Sequence, residues 1–245
     1  MRKRCKRFFL SIVAAICAAA VIGCGTNTIK DSGAVMEIAG EKIVKEEYQM
    51  VIRSYHSQVK MQYETSQANA QDFWRESYPQ GKPLSQVMEL AKEDLLHKKM
   101  LAKLAREAGL DRATDYLSLM TEMEEENKKR EQKNSAGDPV YGLLSFEPED
   151  YYKYVYTGLE VQVLEHLKKE YEVSEEDLKT MYQETYSGKE KGQEAPSFQE
   201  AAGELKSQRQ TWLAQQEIYK QEQEAEIVIN ISQEELEQLA LEVLE

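Results

Sequence analysis

The chain has 245 residues and a formal net charge of −13, with 31 Lys and Arg against 44 Asp and Glu. That balance speaks against nucleic-acid binding, which rests on clustered basic charge. With 12 Gly, 5 Pro and 3 Cys, the composition favours long helices over turn-rich or disulfide-dense architectures.

Five bases, Arg2, Lys3, Arg4, Lys6 and Arg7, open the chain, and an apolar run over 8–22 follows, broken only by Ser11. A basic start, an apolar stretch and a small residue before a cut site make a secretory signal. The run is shorter than the about 20 residues of an ordinary spanning helix. Val21-Ile22-Gly23-Cys24 resembles the lipobox of bacterial lipoproteins, in which the Cys thiol takes a diacylglycerol and becomes the new N-terminus. The resemblance implies that 1–23 is a signal peptide and that Cys24 is lipidated. The chain would then be extracytoplasmic, anchored to the outer face of a bacterial cytoplasmic membrane by two acyl chains. The other reading is an uncleaved N-terminal anchor helix, which also puts the remainder outside the cytoplasm. Without residues 1–23, 26 Lys and Arg face 44 acids, a net of −18. No polybasic grip on anionic lipid is left, and the acidity reads as solubility. Cys5 and Cys17 leave with the signal, so no free thiol remains for a disulfide, a metal cluster or a nucleophile.

Residues 24–33 are small and polar, a tether, and 34–245 reads as one helical domain with a possible sub-boundary near 187–196. Residues 34–43 predict a short strand, a Gly turn and a helix entry. A first helix spans about 45–66, with Tyr48, Val51, Ile52, Tyr55 and Val59 at helical spacing. Residues 67–80 are a polar connection carrying the Phe73-Trp74 pair. A second helix runs from Pro83 to a stop at Gly109, with a wide apolar face that includes Val87, Ala91, Leu95, Leu101 and Leu104. A third covers about 112–133, apolar at its start and highly charged after it. A fourth follows Pro148 to about 171. Ser174, Ser197 and Ser232, each three residues ahead of an acid, read as caps of three further helices. Residues 226–231 are β-branched and read as a strand.

The fold class is therefore mainly α, with one short strand near each end. An isolated strand leaves its backbone groups unpaired, so the N- and C-terminal strands are expected to pair in a small sheet that joins the two ends.

Val35-Met36-Glu37-Ile38-Ala39-Gly40-Glu41-Lys42-Ile43-Val44-Lys45-Glu46-Glu47-Tyr48 resembles the opening of the SurA/PrsA extracytoplasmic foldases, where a strand, an Asn-Gly or similar turn and Ile-Thr-x-Glu-Glu-Phe lead into the first helix. Val44 stands where that family has a capping Thr or Ser, and Ala39 where it often has Asn. The helix ending in Glu-Ala-Gly-Leu at 107–110, the Val-Ser-Glu-Glu-Asp-Leu segment from Val173, the Ser197-Phe198-Gln199-Glu200 helix start and the closing strand follow in the family's order. The isomerase members carry a parvulin domain between the last two helical segments. Here only 187–196 lies there, far short of the about 50 residues a domain needs. The resemblance implies a SurA N-terminal-type helical chaperone domain without prolyl-isomerase activity.

His56, His97 and His166 lie in separate predicted helices with no second His three or four residues away, so no zinc or acid–base constellation is visible. There is no Gly-rich phosphate loop and no Gly-x-Ser-x-Gly. No cofactor, metal or catalytic residue is expected. Tyr151, Tyr152, Tyr154 and Tyr156 crowd one helix start beside Phe146, and successive helical residues point about 100° apart. Some must be exposed or line a groove. Aromatic and Met side chains suit adaptable apolar binding. Met50, Tyr55, Phe73, Trp74, Phe146, Tyr151, Tyr152 and Tyr156 are the candidate client-binding residues; for each one singly, ordinary packing is the competing account. The function expected is an ATP-independent holdase or foldase for unfolded or partly folded secreted proteins. The alternative is an envelope scaffold lipoprotein that binds one specific protein partner.

Overall fold

The structure, a computed structural model, describes residues 33–110, 112–186 and 195–245. The signal segment 1–23, Cys24, all of the tether but Gly33, and most of the 187–196 sub-boundary lie outside the described residues. Residues Gly33–Glu245 form one compact unit.

Strand β1 (Ala34–Ile38) turns at Ala39 and Gly40 into β2 (Glu41–Val44), and the two pair antiparallel. Near the far end of the chain, β3 (Ile227–Ile229) lies antiparallel on the other side of β1, giving the order β2-β1-β3. The expected union of the two ends is thus present. The expected direct helix entry at 41–43 is replaced by β2, because Glu41 to Val44 pairs with β1 before the chain turns helical.

Helix α1 (Lys45–Ser54) begins at Val44, whose side chain makes no capping bond. The long first helix expected over 45–66 breaks at Tyr55, where the N–H bonds back to Ile52 O at 3.2 Å. Short helices α2 (His56–Lys60) and α3 (Thr65–Ala68) follow. Helix α4 (Pro83–Glu107) is the central element. It packs against α1, β1 and three later helices, and buries Val87, Ala91, Leu95, Leu101 and Leu104. It ends at Gly109 (φ 69°), where Leu110 N–H reaches Ala105 O and Gly109 N–H reaches Arg106 O, the paired bonds of a left-handed glycine stop.

Helix α5 (Tyr116–Ala136) starts four residues later than expected because Asp115 caps it, accepting the Ser118 N–H at 3.0 Å. Helix α6 (Pro148–Leu167) finishes in a tight turn over Lys168–Glu170 rather than continuing to 171. Helix α7 (Glu175–Tyr186) is capped by Ser174, and α8 (Phe198–Glu224) and α9 (Gln233–Leu244) carry the capping boxes of Ser197 with Glu200 and Ser232 with Glu235.

Most buried side chains form one core between the sheet and helices α1, α4, α6 and α9. A smaller cluster of Leu178, Ala201 and Leu205, with Phe198 and Tyr182 against it, holds α7 to the start of α8. Helix α9 lies on α1, where Gln49 Nε2 donates to Leu239 O at 3.0 Å. None of the described helices is long and apolar enough to cross a membrane.

Candidate functional site

Of the eight candidate contact residues, only Tyr55 is half-exposed. Met50, Phe73, Trp74, Phe146, Tyr151, Tyr152 and Tyr156 lie between 1 and 8 % exposed. Their surfaces are spent on neighbours, so in this structure they pack and do not present a binding face. They separate into three groups.

Phe73 and Trp74 belong to a closed aromatic cluster. Their rings stand 4.8 Å apart, Tyr63 meets Phe73 edge-on at 5.1 Å, and His56 lies 5.3 Å from Trp74. The indole N–H donates to Leu244 O at 3.0 Å, and the neighbouring Arg75 holds the Glu245 carboxylate at 2.7 and 2.9 Å. This cluster fastens the C-terminal helix to the first third of the fold.

Met50, Tyr55 and Tyr152 come together around a cavity of about 260 Å³ between α1, α4 and α6, rimmed by Asp94, Lys98, Glu149 and Lys153. Behind it lies a feature the sequence reading passed over. Glu47 of α1 and Lys99 of α4 are fully buried, and Glu47 Oε1 accepts from Lys99 Nζ and from the Tyr152 hydroxyl, each at 2.6 Å. Tyr156 stacks 4.7 Å from Tyr152 and donates to Thr114 O at 2.9 Å. Burial, and then the negative charge of Glu47, push the Tyr152 and Tyr156 phenols up, so both stay neutral donors. Glu47 Oε2 has no partner. These groups are 0 to 3 % exposed. They join α1, α4 and α6 through one buried carboxylate oxygen that accepts from both an ammonium and a phenol. The signal was present: Lys99 falls on the apolar stripe of its helix, four residues after Leu95 and three before Ala102.

The third group lies beneath exposed neighbours. Phe146 and Tyr151 pack at 5.4 Å, and Tyr154, 59 % exposed, covers Phe146 from outside at 5.4 Å. The loop between α5 and α6 leads into this cluster and exposes Tyr141, Leu143 and Leu144 at 85, 49 and 59 %. Its backbone is held. Arg130 of α5 donates to Tyr141 O at 3.0 Å and Leu143 O at 2.6 Å, and stacks over Phe146 at 4.6 Å. Asn127 brackets Phe146, donating to its C=O at 2.9 Å and accepting its N–H at 2.7 Å. The arrangement can offer apolar surface at little ordering cost, since the loop is already tied down. No periodic pattern marks Tyr141, Leu143 and Leu144, because their exposure follows from tertiary bonds to α5.

Among the described residues no three or more His, Cys, Asp or Glu side chains stand close enough to hold a metal ion. His97 pairs with Glu222 at 2.6 Å. No family model, curated protein or solved structure matches this chain.

Proposed function

We propose that the protein is an extracytoplasmic lipoprotein, anchored through lipid on Cys24, that acts as an ATP-independent holdase for unfolded or partly folded secreted chains without prolyl-isomerase activity. The observation that carries this reading is the loop between α5 and α6. Three large apolar side chains stand in solvent there on a backbone fastened by Arg130 and Asn127, with Tyr154 beside them. Contiguous exposed apolar side chains are uncommon on soluble monomers and mark interaction sites. A weak, reversible apolar contact lowers the concentration of free aggregation-prone chain by mass action, and needs no covalent chemistry. The strong net acidity keeps loaded complexes dispersed. The order of motifs resembling the SurA/PrsA foldases supports the same reading.

The test dilutes two unrelated denatured proteins into the protein begun at Gly25, which keeps the whole packed body, and follows light scattering. Suppression of both at near-stoichiometric ratios is expected. Failure with several clients would sink the holdase and favour a scaffold for one envelope partner. The anchor is tested separately: Cys24→Ala should release the protein from membranes and abolish incorporation of labelled palmitate.

A further inference from the structure

The open side of β3 is the second feature of the fold that can take a partner. Its ladder with β1 is bounded by Ala39 N–H to Glu226 O at 2.9 Å and Asn230 N–H to Val35 O at 3.0 Å. Bonded pairs alternate in an antiparallel ladder. Residues 226, 228 and 230 therefore bond toward β1, and Ile227 and Ile229 turn their N–H and C=O groups outward. No described strand lies there, since β3 is the last in the order β2-β1-β3. Free edges are usually blunted by shortness, charge, proline or a bulge. This one is short, at three residues, but it carries no charge or proline and reads Ile-Val-Ile, with Val228 and Ile229 exposed.

Under that edge is a cavity of about 260 Å³, lined by Met36, Tyr48, Met88, Ile227, Ile229 and Leu236. Ile229 pairs with Met36 across the ladder, so both side chains stand on the same face of the sheet, the one that looks into the cavity. The opposite wall is α4, where Ser85, Met88, Glu89 and Lys92 form one helical stripe along the opening. Tyr48 is almost fully buried at this cavity, and its hydroxyl has no hydrogen-bond partner. An unpaired buried hydroxyl is costly, and burial, with a smaller push from Glu237, raises this phenol's pKa.

Charge selects among extended segments. Lys92 is already paired with Glu89 at 2.7 Å, Glu237 acts on Tyr48, and Glu226 sits just before β3. The surroundings therefore favour basic over acidic chains.

We infer that the free edge of β3 and the cavity beneath it form a binding site for an extended polypeptide segment, apolar at alternate positions and basic rather than acidic, which adds as a fourth strand and seats alternate side chains between β3 and α4. Main-chain bonds supply part of the affinity and the cavity selects the side chains. The edge offers only two outward N–H and two outward C=O groups, so binding is weak and exchangeable. The site shares no residue with the loop between α5 and α6, and it stands or falls separately from the holdase reading.

The experiment measures fluorescence anisotropy of a short labelled peptide of alternating valine and threonine with a lysine at each end. Ile229→Pro removes an outward N–H that β1 does not use, and proline is tolerated on an edge strand. Met88→Trp fills the cavity. Each substitution, and N-methylation of the peptide backbone, should weaken binding about tenfold or more, with circular dichroism unchanged. Glutamate ends in place of lysine should also weaken it. Equal binding by the N-methylated peptide, or by both folded variants, overturns strand addition, as does no binding to the folded parent protein. Equal binding of the glutamate peptide overturns the charge preference. Peptide binding without suppression of aggregation would reject the holdase and leave this site intact.

Discussion

Two aromatic clusters of similar composition play opposite parts in this molecule. The rings of Tyr63, Phe73 and Trp74 close around each other and around the end of the chain, with Trp74 bonded to Leu244 O. The rings of Phe146, Tyr151 and Tyr154 pack more loosely, at 5.4 to 6.1 Å, and the outermost is more than half exposed and adjoins a loop of exposed apolar residues. The difference lies in what covers them. The C-terminal helix α9 docks on the first cluster, whereas the second is held from behind by Arg130 and Asn127 and its outer ring, Tyr154, faces solvent. Aromatic density alone therefore does not distinguish an anchor from a contact surface; the covering element does.

The largest expected effect breaks the closed cluster. Trp74→Ala removes a buried indole and leaves Leu244 O without its donor, and should cost about 3–5 kcal/mol. Tyr154→Ala, at the open cluster, should cost under about 1 kcal/mol. Urea denaturation of both variants checks the contrast. Similar losses would mean that the second cluster is as structural as the first. Hydrogen exchange should also show α9 loosened in Trp74→Ala alone.

Next comes the ion pair behind Tyr152. Lys99→Met leaves Glu47 charged and buried with only a phenol for a partner, and should cost about 3–5 kcal/mol. Adding Glu47→Leu and Tyr152→Phe removes the remaining polar groups together and should recover most of that loss. A triple variant no more stable than Lys99→Met would show that these groups contribute more than helix registry.

A smaller effect distinguishes the clusters by pH. Burial, with the adjacent Lys60 charge second, holds the His56 imidazole below its ordinary 6.5, and its ring lies against Trp74. With the folded pKa lowered, the unfolded chain takes the proton first. The stability contributed by neutral His56 is full above pH 6.5 and is lost as pH falls from there through the folded value. The Phe146 cluster contains no histidine ring. Denaturation midpoints at about pH 8 and about pH 5.5 should diverge less in His56→Gln than in the parent; an equal divergence would remove His56 from the account.

Much of this fold is legible in the residues because it depends on local or unavoidable physics. Capping boxes at Ser197 and Ser232 involve residues three apart. Two β-branched ends leave unpaired backbone unless they meet, which Met36 and Ile229 do. Strand β2 is harder to read, because Glu41-Lys42-Ile43-Val44 buries only Ile43 and gives little alternation. The break at Tyr55 is hidden because the apolar stripe continues to Val59 across it. Ala39 adopts φ 51° and Val44 caps without a bond, and neither residue type announces that geometry. The candidate surface was legible only as a neighbourhood. Residues 146–156 are aromatic-rich in sequence, yet which rings turn inward depends on Glu47, Asn127 and Arg130, which lie far along the chain.

The smallest change in stability carries the sharpest test of the comparison. Tyr141→Ser, Leu143→Ser and Leu144→Ser together replace exposed side chains, while Arg130 bonds only the backbone carbonyls of Tyr141 and Leu143. Surface substitutions of this kind shift stability by about 0.5 kcal/mol or less each, so the denaturation midpoint should barely move. If the protein is the holdase proposed above, suppression of aggregation should nonetheless fall several-fold, because the only thing removed is apolar surface offered to solvent. If the triple variant keeps full activity, the open cluster is incidental and client contact lies elsewhere. If it loses both stability and activity, the loop is part of the core and the distinction between anchor and surface fails. Unchanged stability with lost activity is the one outcome that places client contact on an element the fold does not need.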